Sequence, residues 1–302
     1  MKILIVGAGG VGGYFGAKLL ESGLDVTFLL RGKRHEHIQK SGLTIEADGN
    51  KSTVFPKIVT AEELKPTFDL IILACKAYDL EDALTSIKNA SSIGVILPFL
   101  NGLDHLEILD ERFGRSRVMG GIANIAANIN STGVVQRLTD VNLLTIGARS
   151  EEHLALAKEF YGECEKADFN AVYSENITQN FWDKWITLST LAAVTTLFRA
   201  PIGKIVASSF GLAILEKAFS EACAIASSSG YAISEERKMK GIESLSKVNS
   251  PLTASMLRDW MGGFRTEHEH ILGSLVKRGV DLKIECDLLK IAYTNLEMNS
   301  NY

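Results

Sequence analysis

The sequence predicts an α/β protein with two domains, an N-terminal doubly wound sheet and a C-terminal all-helical domain. In the first half, short apolar runs such as Ile3–Val6 and Leu70–Ala74 alternate with helical segments, which is typical of a buried parallel sheet. After Tyr173 the pattern changes to long helical periodicities. A chain of 302 residues is long enough for two domains, and we place them at residues 1–173 and 174–302.

Two further elements are predicted from local pattern. The β-branched residues and turns between Val118 and Ile146 predict extra strands that finish the same sheet. In the second half, the periodicity from Thr253 to Arg278 predicts one long helix.

A glycine motif lies between the first predicted strand and the first predicted helix. Its six residues match the pattern G-x-G-x-x-G: Gly7, Ala8, Gly9, Gly10, Val11 and Gly12. In this pattern the first glycine permits a tight turn, the second lets the backbone approach a pyrophosphate, and the third lets helix and strand pack closely. An ordinary glycine-rich turn is the alternative interpretation. The strand–loop–helix–strand order favours a Rossmann-type dinucleotide site, in which the phosphates meet the helix N-terminus.

The residue after the second predicted strand indicates which dinucleotide binds. Proteins of this fold that bind NAD usually have Asp or Glu there, to hold the ribose 2′-hydroxyl. This chain has Arg31, followed by Lys33 and Arg34. A guanidinium makes charge-assisted hydrogen bonds to a 2′-phosphate, whereas a carboxylate repels it. We therefore predict NADP(H), the alternative being a solvated basic turn.

Two more residues follow predicted strands. Lys76 comes after the run ending at Cys75, and Asn101 comes after the run ending at Leu100. Ligands of open α/β sheets lie beyond the carboxyl ends of the strands. Both residues are candidates to contact the dinucleotide, although either could be an ordinary loop residue.

The second half contains a lysine among aromatic residues and a glutamate in a charged stretch. Lys184 lies between Trp182 and Trp185, and a lysine that is partly desolvated has a lowered pKa and can act as a proton donor. Glu267 lies in the predicted long helix. By pattern alone, both also fit a solvated surface. His268 and His270 are two apart, a poor metal-ligand spacing on a helix, so we expect no metal.

Composition excludes several classes of function. The net charge of −4 argues against a nucleic-acid-binding protein, and no apolar run is long enough to predict a membrane span. The four cysteines are scattered without a metal-ligand spacing, and no signal peptide is recognisable. We expect reduced thiols, a cytoplasmic location and a small-molecule substrate. The helical domain could also present the face of a homodimer.

Taken in order along the chain, these motifs resemble those of the ketopantoate reductases (2-dehydropantoate 2-reductases). The resemblance covers nearly the whole length. It rests on the glycine motif, Leu30-Arg31, Cys75-Lys76-Ala77, Asn101-Gly102, Phe181-Trp182-Asp183-Lys184, Ser255-Met256-Leu257 and Arg265-Thr266-Glu267. It implies a Rossmann domain followed by an all-helical domain, and NADPH-dependent reduction of ketopantoate to pantoate, a step of pantothenate and coenzyme A biosynthesis.

The resemblance also implies a role for each matching residue. Lys184 would be the general acid at the keto oxygen, and Glu267 would hold the substrate hydroxyl and orient the lysine. Ser255 would bind the substrate carboxylate. Asn101 would contact nicotinamide and substrate. Lys76 and Arg31 would hold the cofactor with the glycine motif.

The chain departs from the family pattern after the lysine. The family typically has asparagines one and two turns later, where this sequence has Leu188 and Ala192. Thr187 and Thr195 flank that face and could supply hydroxyl groups instead. The departure leaves open a reductase of another small 2-oxo acid or an imine. A catalytically silent dinucleotide sensor is the alternative from another class, although such a protein would need neither Lys184 nor Glu267.

Overall fold

A computed structural model describes residues 1–299 of the chain. The chain divides into two compact units. The first consists of residues 1–100 and 105–178, and the second contains residues 101–104 and 179–299. The predicted domain boundary between residues 173 and 174 follows the last strand and stays a prediction.

The described residues form ten strands, all in the first unit: β1 (Lys2–Val6), β2 (Asp25–Leu29), β3 (Leu43–Ala47), β4 (Asn50–Val54), β5 (Lys57–Val59), β6 (Leu70–Leu73), β7 (Val95–Pro98), β8 (Gly120–Ile129), β9 (Val135–Gly147) and β10 (Asn170–Tyr173). Five of them make an all-parallel sheet of order β5-β2-β1-β6-β7. The prediction of a doubly wound parallel sheet is confirmed.

The centre of this sheet is β1. Its residues Ile3–Val6 are fully apolar and buried, because the strand is covered on both faces. In register, Ile5 lies beside Phe28 of β2 and Ile72 of β6. The carboxyl ends of these three neighbouring strands therefore lie side by side at one edge of the sheet.

The prediction that strands between Val118 and Ile146 finish this sheet is wrong. β8 and β9 belong to a second sheet, in which β8 pairs with β9 and the remaining order is β10-β9-β3-β4. The reason is a long antiparallel hairpin. Its turn is closed by Asn130, whose side chain accepts from two backbone N–H groups, and by Gly133 at a φ of +84°. Val118 alone bridges to Ile96 of the parallel sheet.

Helices cover the first unit and dominate the second. In chain order they are α1 (Gly10–Glu21), α2 (Gly32–Ser41), α3 (Leu80–Ser86), α4 (Asp104–Phe113), α5 (Leu154–Cys164), α6 (Ile177–Phe198), α7 (Ile202–Val206), α8 (Gly211–Ser228), α9 (Glu235–Leu245), α10 (Ser255–Met261), α11 (Ser274–Asp281) and α12 (Asp287–Asn299). The described part of the second unit contains no strand, so the all-helical prediction is confirmed. Across residues 1–299, no helix is both long and apolar enough to span a membrane.

The predicted single helix from Thr253 to Arg278 is wrong. α10 ends at Met261, and Gly262 and Gly263 follow as a turn in which Gly263 has a φ of +72°. A left-handed conformation of this kind stops a helix and is natural for glycine. A segment without regular secondary structure leads to Glu267, and the helical residues after it include a π-helical segment, Glu269–Gly273, that continues into α11. Glu267 thus precedes a helix instead of lying within one.

Candidate active site

The glycine loop follows β1 and opens α1, as predicted. Gly7 has a φ of +99°, so it makes the tight turn that an L side chain would resist. A Cβ on Gly12 would collide with the carbonyl of Gly7 and lie 2.7 Å from Cβ of Ala74. A Cβ on Gly9 would meet no atom within 4 Å. Gly12 is therefore required for packing, whereas Gly9 leaves open space in front of the loop.

Two residues support this loop in ways that the G-x-G-x-x-G pattern does not predict. A Cβ on Gly10 would lie 2.5 Å from the carbonyl oxygen of Ala127, so this glycine permits close approach of α1 and β8. Arg34 is buried by about half, and its Nε donates to the carbonyl of Ala8 at 2.9 Å. Its Nη1 donates to the carbonyl of Gly133 at 2.7 Å. In the sequence Arg34 is merely part of a basic run, and its structural contact is with the backbone of the glycine loop.

Arg31 lies two residues beyond β2 and is largely exposed. Its guanidinium donates to Asp82 at 3.0 Å and to Asp79 at 3.3 Å, both in the segment that follows β6. The hydrogen bond to Asp82 raises the pKa of the guanidinium further. An anion that binds Arg31 must therefore compete with two carboxylates.

Lys76 is half-buried and extended, between β6 and the short 3₁₀ turn Ala77–Asp79. β6 neighbours β1, and the amide of Ala74 donates to the carbonyl of Val6 at 3.1 Å. The glycine loop, Arg31 and Lys76 thus follow three adjacent strands at their carboxyl ends. The first unit gathers all the predicted dinucleotide contacts except Asn101 at one edge of its sheet.

The second unit brings together three of the other predicted residues. Lys184 is in the third turn of α6, half-buried, and its Nζ donates to Oδ1 of Asn101 at 3.0 Å. Burial lowers the pKa of Lys184 to about 8, and the nearby carboxylate of Glu267 opposes that shift. Glu267 itself is 6% exposed. A cation, an amide oxygen and a buried carboxylate are therefore assembled in one place.

Ser255 begins α10, and that helix start is tied to α6. The amide of Ala254 contacts Oγ1 of Thr195 at 3.5 Å. Thr195 is eleven residues after Lys184, which is about three helical turns along α6. Ser255 thus starts a helix beside α6, further along it than the lysine.

The face of α6 after Lys184 is apolar, and the hydroxyl groups that flank it donate to backbone carbonyls of the same helix. Ala192 is buried and Leu188 is half-buried. The hydroxyl of Thr195, itself fully buried, donates to the carbonyl of Leu191 at 2.6 Å. Thr187 donates its hydroxyl proton to the carbonyl of Asp183 at 3.1 Å. Both hydroxyl protons are therefore donated to the backbone, and the expectation that these hydroxyls replace the missing asparagines stays a prediction.

The two histidines beside Glu267 have separate partners. Nδ1 of His268 lies 2.7 Å from the hydroxyl of Thr266, while His270 is directed to the backbone of Asn101. Within residues 1–299, no group of three or more His, Cys, Asp or Glu side chains is arranged to hold a metal ion.

Comparison with known proteins covers both halves of the chain. The family model described as ketopantoate reductase PanE/ApbA matches residues 3–151, and its C-terminal counterpart matches residues 176–299. An uncharacterized oxidoreductase, YkpB, of Bacillus subtilis is 33% identical over 99% of this chain and 98% of its own length. A 2-dehydropantoate 2-reductase of Pyrococcus horikoshii is 30% identical over 95% of this chain and 94% of its own.

The chain belongs to the ketopantoate reductase family. It is accordingly an oxidoreductase that acts on a keto or hydroxyl group, and the hypothesis of a silent sensor falls. Among solved structures, 2-dehydropantoate 2-reductase of Geobacter metallireducens matches with a TM-score of 0.88, at 25% identity over 99% of both chains. D-mandelate dehydrogenase in complex with NADH and anilino(oxo)acetate matches with a TM-score of 0.89, at 22% identity over 99% of this chain and 98% of the other. At 22% identity, the likeness to D-mandelate dehydrogenase shows a similar fold alone.

Proposed function

We propose that the protein reduces a small 2-oxo acid with NADPH, and that ketopantoate, which yields pantoate, is the leading substrate. The observation that carries this proposal is the lysine. Lys184 is held by Asn101 at 3.0 Å, beside the buried Glu267, with its pKa lowered to about 8. A pure dinucleotide-binding protein has no need for a partly desolvated ammonium group.

The glycine loop fits a nicotinamide dinucleotide. The open space at Gly9 allows a pyrophosphate to approach the start of α1, while the close contact at Gly12 fixes the helix that receives it. Lys76, Asn101 and the loop from Gly7 to Gly12 would hold the cofactor, and bound NADPH supplies the hydride. NADH in the similar fold of D-mandelate dehydrogenase supports the class of cofactor.

The preference for the phosphorylated form rests on Arg31. Position 31 itself holds an exposed guanidinium, which suits a phosphate, in place of the Asp or Glu that would receive a ribose 2′-hydroxyl. Its ion pairs with Asp79 and Asp82 weaken this preference without reversing it, because exposed ion pairs contribute only about 0.2–1 kcal/mol each.

The residues of the second unit supply the proton and the orientation. Hydride addition to a ketone leaves negative charge on oxygen, so an ammonium directed at that oxygen stabilises the transition state more than the ground state. With a pKa of about 8, Lys184 is mostly protonated at neutral pH and donates more readily than an ordinary lysine. Asn101 restrains the ammonium, Glu267 would hold the substrate hydroxyl, and Ser255 would bind the carboxylate.

A steady-state assay of NADPH oxidation tests the proposal. Ketopantoate and a panel of apolar 2-oxo acids serve as substrates for the wild type, for Lys184→Ala and for Lys277→Ala, whose side chain is exposed on α11. We expect Lys184→Ala to lose turnover by at least a hundredfold with NADPH binding unchanged, and Lys277→Ala to match the wild type. Full activity of Lys184→Ala would overturn the role of the lysine, and no turnover on any substrate would overturn the reductase.

A less polar 2-oxo acid, or the corresponding imine, is the second candidate. The apolar pair Leu188 and Ala192 favours it, because neither side chain can hydrogen-bond a substrate hydroxyl and the hydroxyl proton of Thr195 is already donated to the carbonyl of Leu191. Turnover that rises with the apolar character of the substrate would favour this candidate over ketopantoate. The cytoplasmic location and the homodimer also stay proposals.

A further inference from the structure

Residues 101–104 are held along one face of the helix that follows Glu267. Three side chains of this face, His270, Ser274 and Arg278, are spaced by four residues and so succeed one another along the helix. Nothing in the sequence motifs marks these three residues. Together they contact both ends of the segment that carries Asn101.

The far end of the segment is held by its carboxylate. Asp104 accepts a hydrogen bond from Oγ of Ser274 at 2.5 Å, and Nη2 of Arg278 lies 3.6 Å from the same oxygen. The guanidinium of Arg278 in turn lies 5.9 Å from the ring centres of Trp182 and Trp185. Asp104 is therefore attached to two residues of one helix, and one of these also contacts the helix that carries Lys184.

The near end of the segment is held by a histidine. The imidazole of His270 donates to the backbone carbonyl of Asn101. Gly102 has a φ of +79°, and a Cβ there would lie 2.8 Å from the carbonyl oxygen of His270 and 2.9 Å from its Cδ2. The segment thus lies directly against His270, at a distance that glycine alone permits.

The conformation of this helix directs His270 to the segment. His270 lies within the π-helical segment Glu269–Gly273, and such an insertion changes the direction of side chains relative to a regular α-helix. Burial lowers the pKa of His270, against the opposing attraction of Asp104 and Glu267, the charged groups that face it. At neutral pH a neutral imidazole therefore has one N–H to donate, and Asn101 receives it.

We propose that His270 and Ser274 are positioning residues for proton transfer, acting through residues 101–104. They fix the backbone of Asn101 so that its Oδ1 meets Nζ of Lys184. A side-chain amide has a broad torsional preference, so its direction depends on where the backbone holds it. This inference rests on the proposed role of Lys184 as the proton donor.

Matched variants separate positioning from bulk. His270→Leu removes the hydrogen-bond donor and replaces the imidazole with an apolar side chain. His270→Gln retains an N–H that can reach the carbonyl. We expect His270→Leu and Ser274→Ala to lower kcat about tenfold, the worth of one hydrogen bond, with the KM for NADPH unchanged. His270→Gln should recover most of the loss, and Lys277→Ala should equal the wild type.

A merely structural role would leave the pH profile of kcat unchanged, so this profile tests the positioning role. The amide oxygen of Asn101 stabilises the charged form of Lys184, which otherwise faces the carboxylate of Glu267. When the amide is displaced, the alkaline limb of kcat should move to lower pH in His270→Leu and Ser274→Ala, and return in His270→Gln. Circular dichroism and thermal melting identify a variant that does not fold. If His270→Leu fails to fold, Ser274→Ala and His270→Gln decide.

The outcomes distinguish this inference from the proposed function. If Lys184→Ala is inactive while Ser274→Ala and the His270 variants keep the kcat and pH profile of the wild type, the positioning role is refuted and the reductase stands. If Lys184→Ala is active, the proposed role of Lys184 as the proton donor is refuted. Loss of activity in His270→Leu without any shift of the alkaline limb, and without recovery in His270→Gln, would also refute the positioning role.

Discussion

Lys184→Met should abolish turnover, and its effect on the stability of the protein should depend on pH. The folded protein holds Lys184 with a pKa of about 8, against 10.5 for the exposed side chain. Between these values the unfolded chain binds more protons at this site, so the stability of the wild type rises with pH there. Below pH 8 the full cost of keeping a partly desolvated ammonium remains. Methionine has a similar shape and carries no charge, so the variant avoids that cost.

The magnitude follows from the two pKa values. The difference between 10.5 and about 8 corresponds to about 3 kcal/mol between the charged and neutral forms. We therefore expect the advantage of Lys184→Met in the free energy of unfolding to be up to about 3 kcal/mol larger at pH 7 than at pH 10.5. Any fixed loss of packing shifts both values alike and cancels in the comparison.

Urea denaturation of the cofactor-free proteins at the two pH values measures this difference. Lys277→Met is the matched control, because it removes an exposed lysine from α11. The kcat/KM of the wild type should fall as pH rises through about 8, since the proton donor of the free protein is then lost. A difference between Lys184→Met and wild type that is the same at both pH values would refute the claim that burial controls this lysine.

The remaining predictions concern the cofactor loop and specificity. Gly12→Ala should lower the free energy of unfolding by about 1–3 kcal/mol, because its Cβ would overlap the backbone and the Ala74 side chain. Gly9→Ala should keep the free energy of unfolding within about 0.5 kcal/mol of the wild type and lose dinucleotide affinity in a binding titration. Arg31→Ala should raise the KM for NADPH at least tenfold and leave that for NADH nearly unchanged; an equal loss for both would contradict the predicted preference. Asp82→Asn should lower the KM for NADPH by up to about fivefold, because a competing ion pair is removed, and an unchanged KM would contradict that competition. Leu188→Asn should shift kcat/KM toward ketopantoate and away from apolar 2-oxo acids, and an unchanged ratio would show that this face does not meet the substrate.

The first unit was most predictable where its structure depends on neighbours in sequence. The strand Ile3–Val6, the turn at Gly7 and the helix after it are each specified by adjacent residues, and the structure has them in that order. The assignment of β8 and β9 to a second sheet was not predictable in this way. A β-branched run indicates a strand but not its partner, and β3, which pairs with β9, lies about 90 residues earlier in the chain.

At the candidate site, too, local features were predictable from the sequence and long-range partners were not. The residue types at Lys184, Glu267 and Arg31 could be found in the sequence, but their partners could not. Arg31 meets Asp79 and Asp82 from 48 and 51 residues away, and Lys184 meets Asn101 from 83 residues away. Periodicity also placed Glu267 within a helix, because the apolar spacing continued across Gly262 and Gly263. Those two glycines were the available signal for the break.

Reaction type and substrate depend on different residues of this site. Every 2-oxo acid presents the same keto oxygen, so Lys184 and Asn101 can serve any of them. Recognition of the rest of the substrate requires donors and acceptors that differ from one acid to another. On α6 these would lie after the lysine, where the chain has Leu188 and Ala192, and where the hydroxyl proton of Thr195 is already donated to the backbone. A buried substrate hydroxyl without a partner there would lose about 1–3 kcal/mol, a factor of about ten to a hundred in kcat/KM. A substrate panel therefore tests the apolar face, while variants of Lys184 test the chemistry, and neither experiment can stand in for the other.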